Sequence, residues 1–185
     1  MDPAARLQDE WLALRCQSGE PDAFEDLVRT MERPLRYYAA KLLGNEERAL
    51  DVLQDVWIRA FRGVRKLKDP ASLRPWLYRI AYGAAIDRIR GDASRVRAEA
   101  AHSEQFEEAA DLRFDEEDAA AVHRALDEID LRHREVLVLY FLEDFSVAQI
   151  AAVVGCPEGT VKSRLYHARK ALKEILLRGG YGRQS

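Results

Sequence analysis

The sequence predicts an all-α fold: two small helical domains joined by an acidic linker, the second ending in a helix-turn-helix. Three observations carry that prediction. Apolar residues recur at helical spacing through most of the chain, as in Val147, Ile150, Ala151 and Val154 at i, i+3, i+4 and i+7. No run of alternating β-branched residues suggests a strand, and 33% charged residues with only ten glycines and six prolines in 185 residues favour helix. Between two periodic halves, Gly91 to about Asp118 is acidic and aperiodic, which reads as a linker around a helical patch at Glu104 to Ala110. The expected divisions are 1–91, a linker over 92–118, a second domain over 119–178, and a tail over 179–185.

The first helix spans residues 1–18, with Leu7, Trp11, Leu12 and Leu14 as its apolar members, and Gly19, Glu20 and Pro21 break it. A second begins near Asp22, with Phe24, Leu27, Val28, Met31, Leu35, Ala39 and Leu42 at near-helical spacing. Pro34 should kink it, and Gly44 and Asn45 should stop it. Glu46 to Phe61 forms a third, with Leu50, Leu53, Val56, Trp57 and Ala60 pointing one way and Asp51, Gln54, Asp55 and Ile58 on a neighbouring face. That mixed face is either solvated surface or a docking patch. Val64 to Ser72 is a loop, in which Asp69 and Pro70 favour a turn.

A fourth helix runs from about Leu73 to Arg90 on a core stripe of Leu73, Leu77, Ile80, Ala81 and Ala84. Trp76, Tyr78, Arg79, Tyr82, Arg88 and Arg90 cannot all share that core. Aromatics interleaved with arginine suit single-stranded DNA, where rings stack on bases and cations follow phosphates. Equally, Trp76 can be core and the tyrosines can cover a domain edge. Beyond the linker, Ala119 to Ile129 and Arg132 to Leu142 form two helices, the second capped by Asp130.

The last stretch, Phe145 to Leu177, reads as a helix, a tight turn and a longer basic helix. Ser146 and Gln149 form a capping box, Gly155 supplies a left-handed stop, and Pro157 takes a first helical position. Val161, Leu165, Ala168, Leu172 and Ile175 make the buried stripe; Thr160, Lys162, Ser163, Tyr166, His167 and Lys170 lie opposite. This layout leaves the second helix free to enter a major groove.

Charge is distributed to match. The net charge is −3, but Arg59 to Arg90 holds nine Lys/Arg against two acids, and Gly159 to Arg178 holds six against one. Glu99 to Asp118 holds nine acids against one arginine. A phosphate backbone meets the segments, not the total. No apolar run approaches the roughly 20 residues of a membrane span, and the N-terminus shows no signal peptide. Two distant cysteines, Cys16 and Cys156, are expected as reduced thiols in a cytoplasmic protein. The four histidines show no metal spacing, and neither a phosphate loop nor a nucleophile–base motif is present. No enzyme, catalytic residue, metal, cofactor or small-molecule substrate is expected.

Three segments in order, LDVLQDVWIRAF, LRPWLYRIAYGAAIDRIR and REVLVLYFLEDFSVAQIAAVVGCPEGTVKSRLYHARKAL, together resemble a sigma factor of the sigma-70 family, in its small extracytoplasmic-function group. The resemblance covers roughly residues 20–178. It implies a transcription initiation factor that binds core RNA polymerase, directs it to promoter DNA and helps melt the minus-10 region. By that resemblance Asp51, Gln54, Asp55 and Ile58 dock on the polymerase clamp. Lys66, Lys68, Trp76, Arg79, Tyr82, Arg88 and Arg90 would meet the minus-10 element. Thr160, Lys162, Ser163, Arg164, Tyr166, His167 and Lys170 would meet the minus-35 element, with Lys162 and Lys170 on phosphates and Ser163, Arg164 and His167 toward base edges. An anti-sigma partner is also implied. Gly83 stands where the family often has Asn, and His167 where it often has Arg.

A linker of about 27 residues spans roughly 30 Å relaxed and about 90 Å extended. Promoter elements two helical turns apart are separated by roughly 70 Å, so the linker should extend on the polymerase. The alternative is a free-standing helix-turn-helix regulator acting on a palindromic operator. It leaves the 51–58 face and the Trp76–Arg90 segment without a role.

Overall fold

The computed structural model describes residues 3–96 and 116–179. The expected helical patch at Glu104 to Ala110 lies outside them. Eight helices are described: α1 (Pro3–Ser18), α2 (Ala23–Leu43), α3 (Glu46–Gly63), α4 (Leu73–Val96), α5 (Glu116–Glu128), α6 (Leu131–Phe141), α7 (Val147–Val154) and α8 (Glu158–Arg178). Two 3-10 turns, Val64–Lys66 and Pro70–Ser72, join α3 to α4. None of these helices is long and apolar enough to cross a membrane.

Local chemistry sets most boundaries. Asn45 caps α3 by accepting from the Arg48 N–H, and Gly44 ends α2 in the left-handed region. Ser146 and Gln149 form the expected capping box on α7, and Gly155 ends it at φ 68°. Two boundaries differ from expectation. Pro157 is the residue before α8 rather than its first helical position. Asp130 precedes α6 without a side-chain capping bond. Pro34 lies inside α2, which runs from Ala23 to Leu43 as one element.

Helices α2, α3 and α4 pack mutually, with α1 laid across α2 and the 3-10 turns. In the second half α5, α6 and α7 all pack on α8. Buried side chains include Leu27, Met31, Leu35, Val56, Leu73 and Leu77 in the first half and Val136, Leu137, Ile150, Val161 and Leu165 in the second. Two core expectations fail. Leu50 is 44% exposed, and Leu7, Trp11 and Leu14 of α1 all face outward while Leu12 alone of that set is buried. In both helices the tertiary contact surface is narrower than the apolar pattern.

The halves also pack on each other, α2 against α6 and α4 against α7. Tyr38 of α2, Tyr78 of α4 and Phe145 before α7 are all buried, with successive ring centroids 5.1 Å apart. Ion pairs flank this stack. Lys41 donates to both Asp127 carboxylate oxygens at 2.8 Å, and Arg134 donates to the Lys41 carbonyl at 2.7 Å. On another side Arg74 grips Asp9 through two hydrogen bonds and lies 3.7 Å from Glu143.

Candidate functional site

Three surfaces carry the candidate residues. On α3 the inner face of Val52, Leu53, Val56 and Ala60 is buried, which turns Asp51, Gln54, Asp55 and Ile58 to solvent. Leu50, at 44% exposure, and Phe61, at 63%, extend this surface at either end. The spacing 50, 54, 58, 61 is itself a helical stripe, and is the signal by which those two residues could have been found. Asp51 is not isolated: its carboxylate lies 3.6 Å from the Arg88 guanidinium, which also approaches Asp92. Arg88 therefore ties α4 to the acidic face of α3.

The second surface follows the 3-10 turns and α4. Lys66, Lys68, Arg79 and Arg90 are exposed, while Trp76 and Tyr82 are half-buried. Trp76 lies against Gly63: a Cβ there would meet Trp76 Cζ2 at 2.9 Å. Gly63→Ala is accordingly expected to displace the indole and to cost about 1–3 kcal/mol. A blue or red shift of tryptophan emission together with a lower urea midpoint would check this; an unchanged spectrum would place the ring elsewhere. Gly83 has no heavy atom within 4 Å of a built Cβ, so a side chain fits there.

The third surface is α8. Lys162, Ser163, Tyr166, His167 and Lys170 are exposed and Thr160 is half-buried. Tyr166 stands edge-on to His167, their ring centroids 5.3 Å apart, and is itself 69% exposed. Arg169 stacks over Tyr140 and Phe141, at 4.9 and 5.3 Å from their centroids. Arg164 differs from its neighbours. It turns inward, donating to the Glu135 carboxylate of α6 at 2.7 Å.

Glu135 is 2% exposed, and the Tyr82 hydroxyl of α4 lies beside it. One buried carboxylate thus joins a residue from each of the two basic surfaces. Burial outweighs Arg164 and Tyr82 and pushes the Glu135 pKa up to about 7. Between the ordinary carboxylate range and about pH 7, the folded chain then holds a proton that the unfolded chain has released. This stability is present in full at lower pH and is lost as pH rises to about 7. Glu135→Gln should flatten that decline, leaving a smaller slope from Glu143, whose carboxyl burial also raises. Urea midpoints at several pH values across this window test it, and an unaltered slope would remove Glu135 as the source.

Chemically, these surfaces offer cations, aromatic rings and an acidic–apolar stripe. Among the described residues no group of three or more His, Cys, Asp or Glu is arranged to hold a metal ion.

The sequence matches the family model for Sigma-70 region 2 over residues 18–95 and that for Sigma-70, region 4 over residues 119–172. It is 35% identical over 160 residues to the ECF RNA polymerase sigma factor SigM of Mycobacterium tuberculosis, covering 86% of this chain and 80% of that protein. It is 32% identical over 185 residues to the RNA polymerase sigma-H factor of Pseudomonas aeruginosa, covering 91% of this chain and 94% of that protein. Among solved structures, CnrH in complex with the cytosolic domain of CnrY aligns with a TM-score of 0.63 at 26% identity, over 91% of this chain and 96% of that one. The sigma factor RpoE in complex with the anti-sigma factor NepR, from Bartonella quintana, shares the fold, with a TM-score of 0.74 at 24% identity over 84% of this chain and 98% of that one.

Proposed function

The chain belongs to the sigma-70 family of RNA polymerase sigma factors, in its extracytoplasmic-function group, and from that membership we propose how its two halves share the work of an RNA polymerase-binding transcription initiation factor. The 1–91 half docks on core polymerase through the outer face of α3, by Asp51, Gln54, Asp55 and Ile58. It engages the minus-10 element through Lys66, Lys68, Trp76, Arg79, Tyr82, Arg88 and Arg90. The 119–178 half reads the minus-35 element with the exposed face of α8. Lys162 and Lys170 neutralise phosphates, while Ser163, Tyr166 and His167 approach base edges. Arg164, seated on Glu135, acts by orienting α8 or by exchanging Glu135 for a DNA acceptor.

The observation that carries this reading is the separation of surfaces. An acidic–apolar stripe on α3 suits a protein partner, whereas basic residues on α4 and α8 suit DNA. Strand opening needs no catalytic side chain. Bases captured outside the stack offset an unpairing cost of a few kcal/mol, and Trp76 and Tyr82 offer rings for that capture. The stretch between α4 and α5 would run extended between the two elements. An anti-sigma protein is the expected inhibitory partner and the cytoplasm the expected location. A free-standing regulator would leave the region 2 match without use.

The test mixes the purified chain with core RNA polymerase and a promoter library and scores transcripts. Promoter-specific initiation is the expected result. Tight duplex binding without polymerase, and no gain in initiation with it, would sink the reading.

A further inference from the structure

One arginine of α8 sits where helical geometry leaves its direction open. Residues four apart on a helix are turned by about 40°, and residues three apart by about 60°. Arg164 therefore lies midway between the buried stripe, at Val161 and Ala168, and the outer edge, at Thr160 and His167. Periodicity alone would let its side chain turn either way.

Glu135 of α6 decides. Helices α6 and α8 pack on each other, and the Arg164 guanidinium donates to the Glu135 carboxylate at 2.7 Å. The two side chains are 24% and 2% exposed. Arg134, the adjacent cation on α6, is engaged elsewhere, on the Asp127 and Ile129 carbonyls. Breaking a buried pair strands a charge away from water, which costs more than one base contact returns. Arg164 thus stays on Glu135 while Ser163, Tyr166 and His167 face outward. The consequence is chemical. An arginine fork is well matched to guanine, whose O6 and N7 it can bridge. A free Arg164 would impose a guanine on the element that α8 reads. With the fork held inward, reading falls to hydroxyls, a phenol and an imidazole.

We propose that Glu135 is a specificity-determining residue for minus-35 recognition: by holding Arg164 inward it removes a guanine-reading side chain from α8. The proposal rests on the two-element reading above. Glu135 touches no base and acts as a positioning residue. Arg164 then works by staying on Glu135, not by exchanging it for a DNA acceptor.

The test uses holoenzyme assembled from the full chain and core polymerase. It is run at about pH 8, above the pKa of about 7 to which burial raises Glu135. Promoters randomised one position at a time through the minus-35 element are scored by transcript yield. Glu135→Gln keeps the shape and removes the charge that holds Arg164. It should gain a preference for guanine at one position, by about tenfold over the parent. Adding Arg164→Ala should abolish that gain, which a purely structural role for Glu135 would not predict. A preference unchanged in Glu135→Gln, or a gain that survives Arg164→Ala, overturns the proposal. If Glu135→Gln does not fold, Glu135→Asp decides, because its shorter reach weakens the same bond. A smaller gain of guanine is then expected, and no gain overturns the proposal. A parent holoenzyme indifferent to every minus-35 position would sink the two-element reading and the proposal together. A parent that discriminates, matched by Glu135→Gln, sinks the proposal alone.

Discussion

Phe145→Ala is expected to lower the stability of the folded chain by about 3–5 kcal/mol, a large part of the roughly 5–15 kcal/mol that a domain has. Phe145 is 2% exposed and meets the Tyr78 ring edge-on, with centroids 5.1 Å apart and an interplanar angle of 75°. Its removal takes away burial and an aromatic pair worth about 0.5–1.5 kcal/mol beyond area. The cavity falls where the two halves meet, so relaxation there loosens both. A melting temperature lower by about 10 °C would agree with this cost at the present chain length. Phe141, 53% exposed at the end of α6, is the comparison. Its replacement by alanine should cost less than about 1 kcal/mol. Equal losses at the two positions would mean that Phe145 is not at the centre of the packing.

Ile58→Asp combined with Gln54→Ala should weaken binding to core RNA polymerase by about a hundredfold, as expected for anchors at the centre of an interface. Ile58 is half exposed and lies outside the buried face of α3. The variant should melt within a few degrees of the parent, and titration with labelled core polymerase measures the loss. Arg29→Ala, on an exposed position of α2, should leave affinity unchanged. If the α3 variant binds as tightly as the parent, the docking face lies elsewhere. Leu50 and Phe61 would then be the next positions to test, because they extend the same stripe.

Much of the architecture was legible in the residues. The Ser146–Gln149 capping box, the left-handed Gly155 and the Val161–Leu165–Ala168 stripe are local features. Their physics acts over one or two helical turns and is the same in any context. The outward face of α3 was legible in part: Leu53, Val56 and Ala60 of the expected stripe are buried and leave Asp51, Gln54, Asp55 and Ile58 outside, but Val52 is buried where Leu50 was expected. Other features had no local signal. Leu50, Trp11 and Leu14 fit an apolar pattern yet face solvent. Tyr78 looked like one of several residues competing for space and is fully buried, because a phenylalanine 67 positions later covers it. Arg164 shares a helix with exposed base-reading candidates and turns instead to Glu135, which no helical spacing predicts.

The sequence by itself determined the helices, several of their caps, the order of two helical halves and the segregation of acidic from basic residues along the chain. Those follow from periodicity and backbone chemistry within a few residues. Only the tertiary structure decided that Tyr38, Tyr78 and Phe145 would close one half on the other, and that Lys41 would find Asp127 across the boundary. Those contacts join residues 40 to 90 positions apart. Such pairing depends on where whole helices come to rest, which periodicity along one helix does not encode.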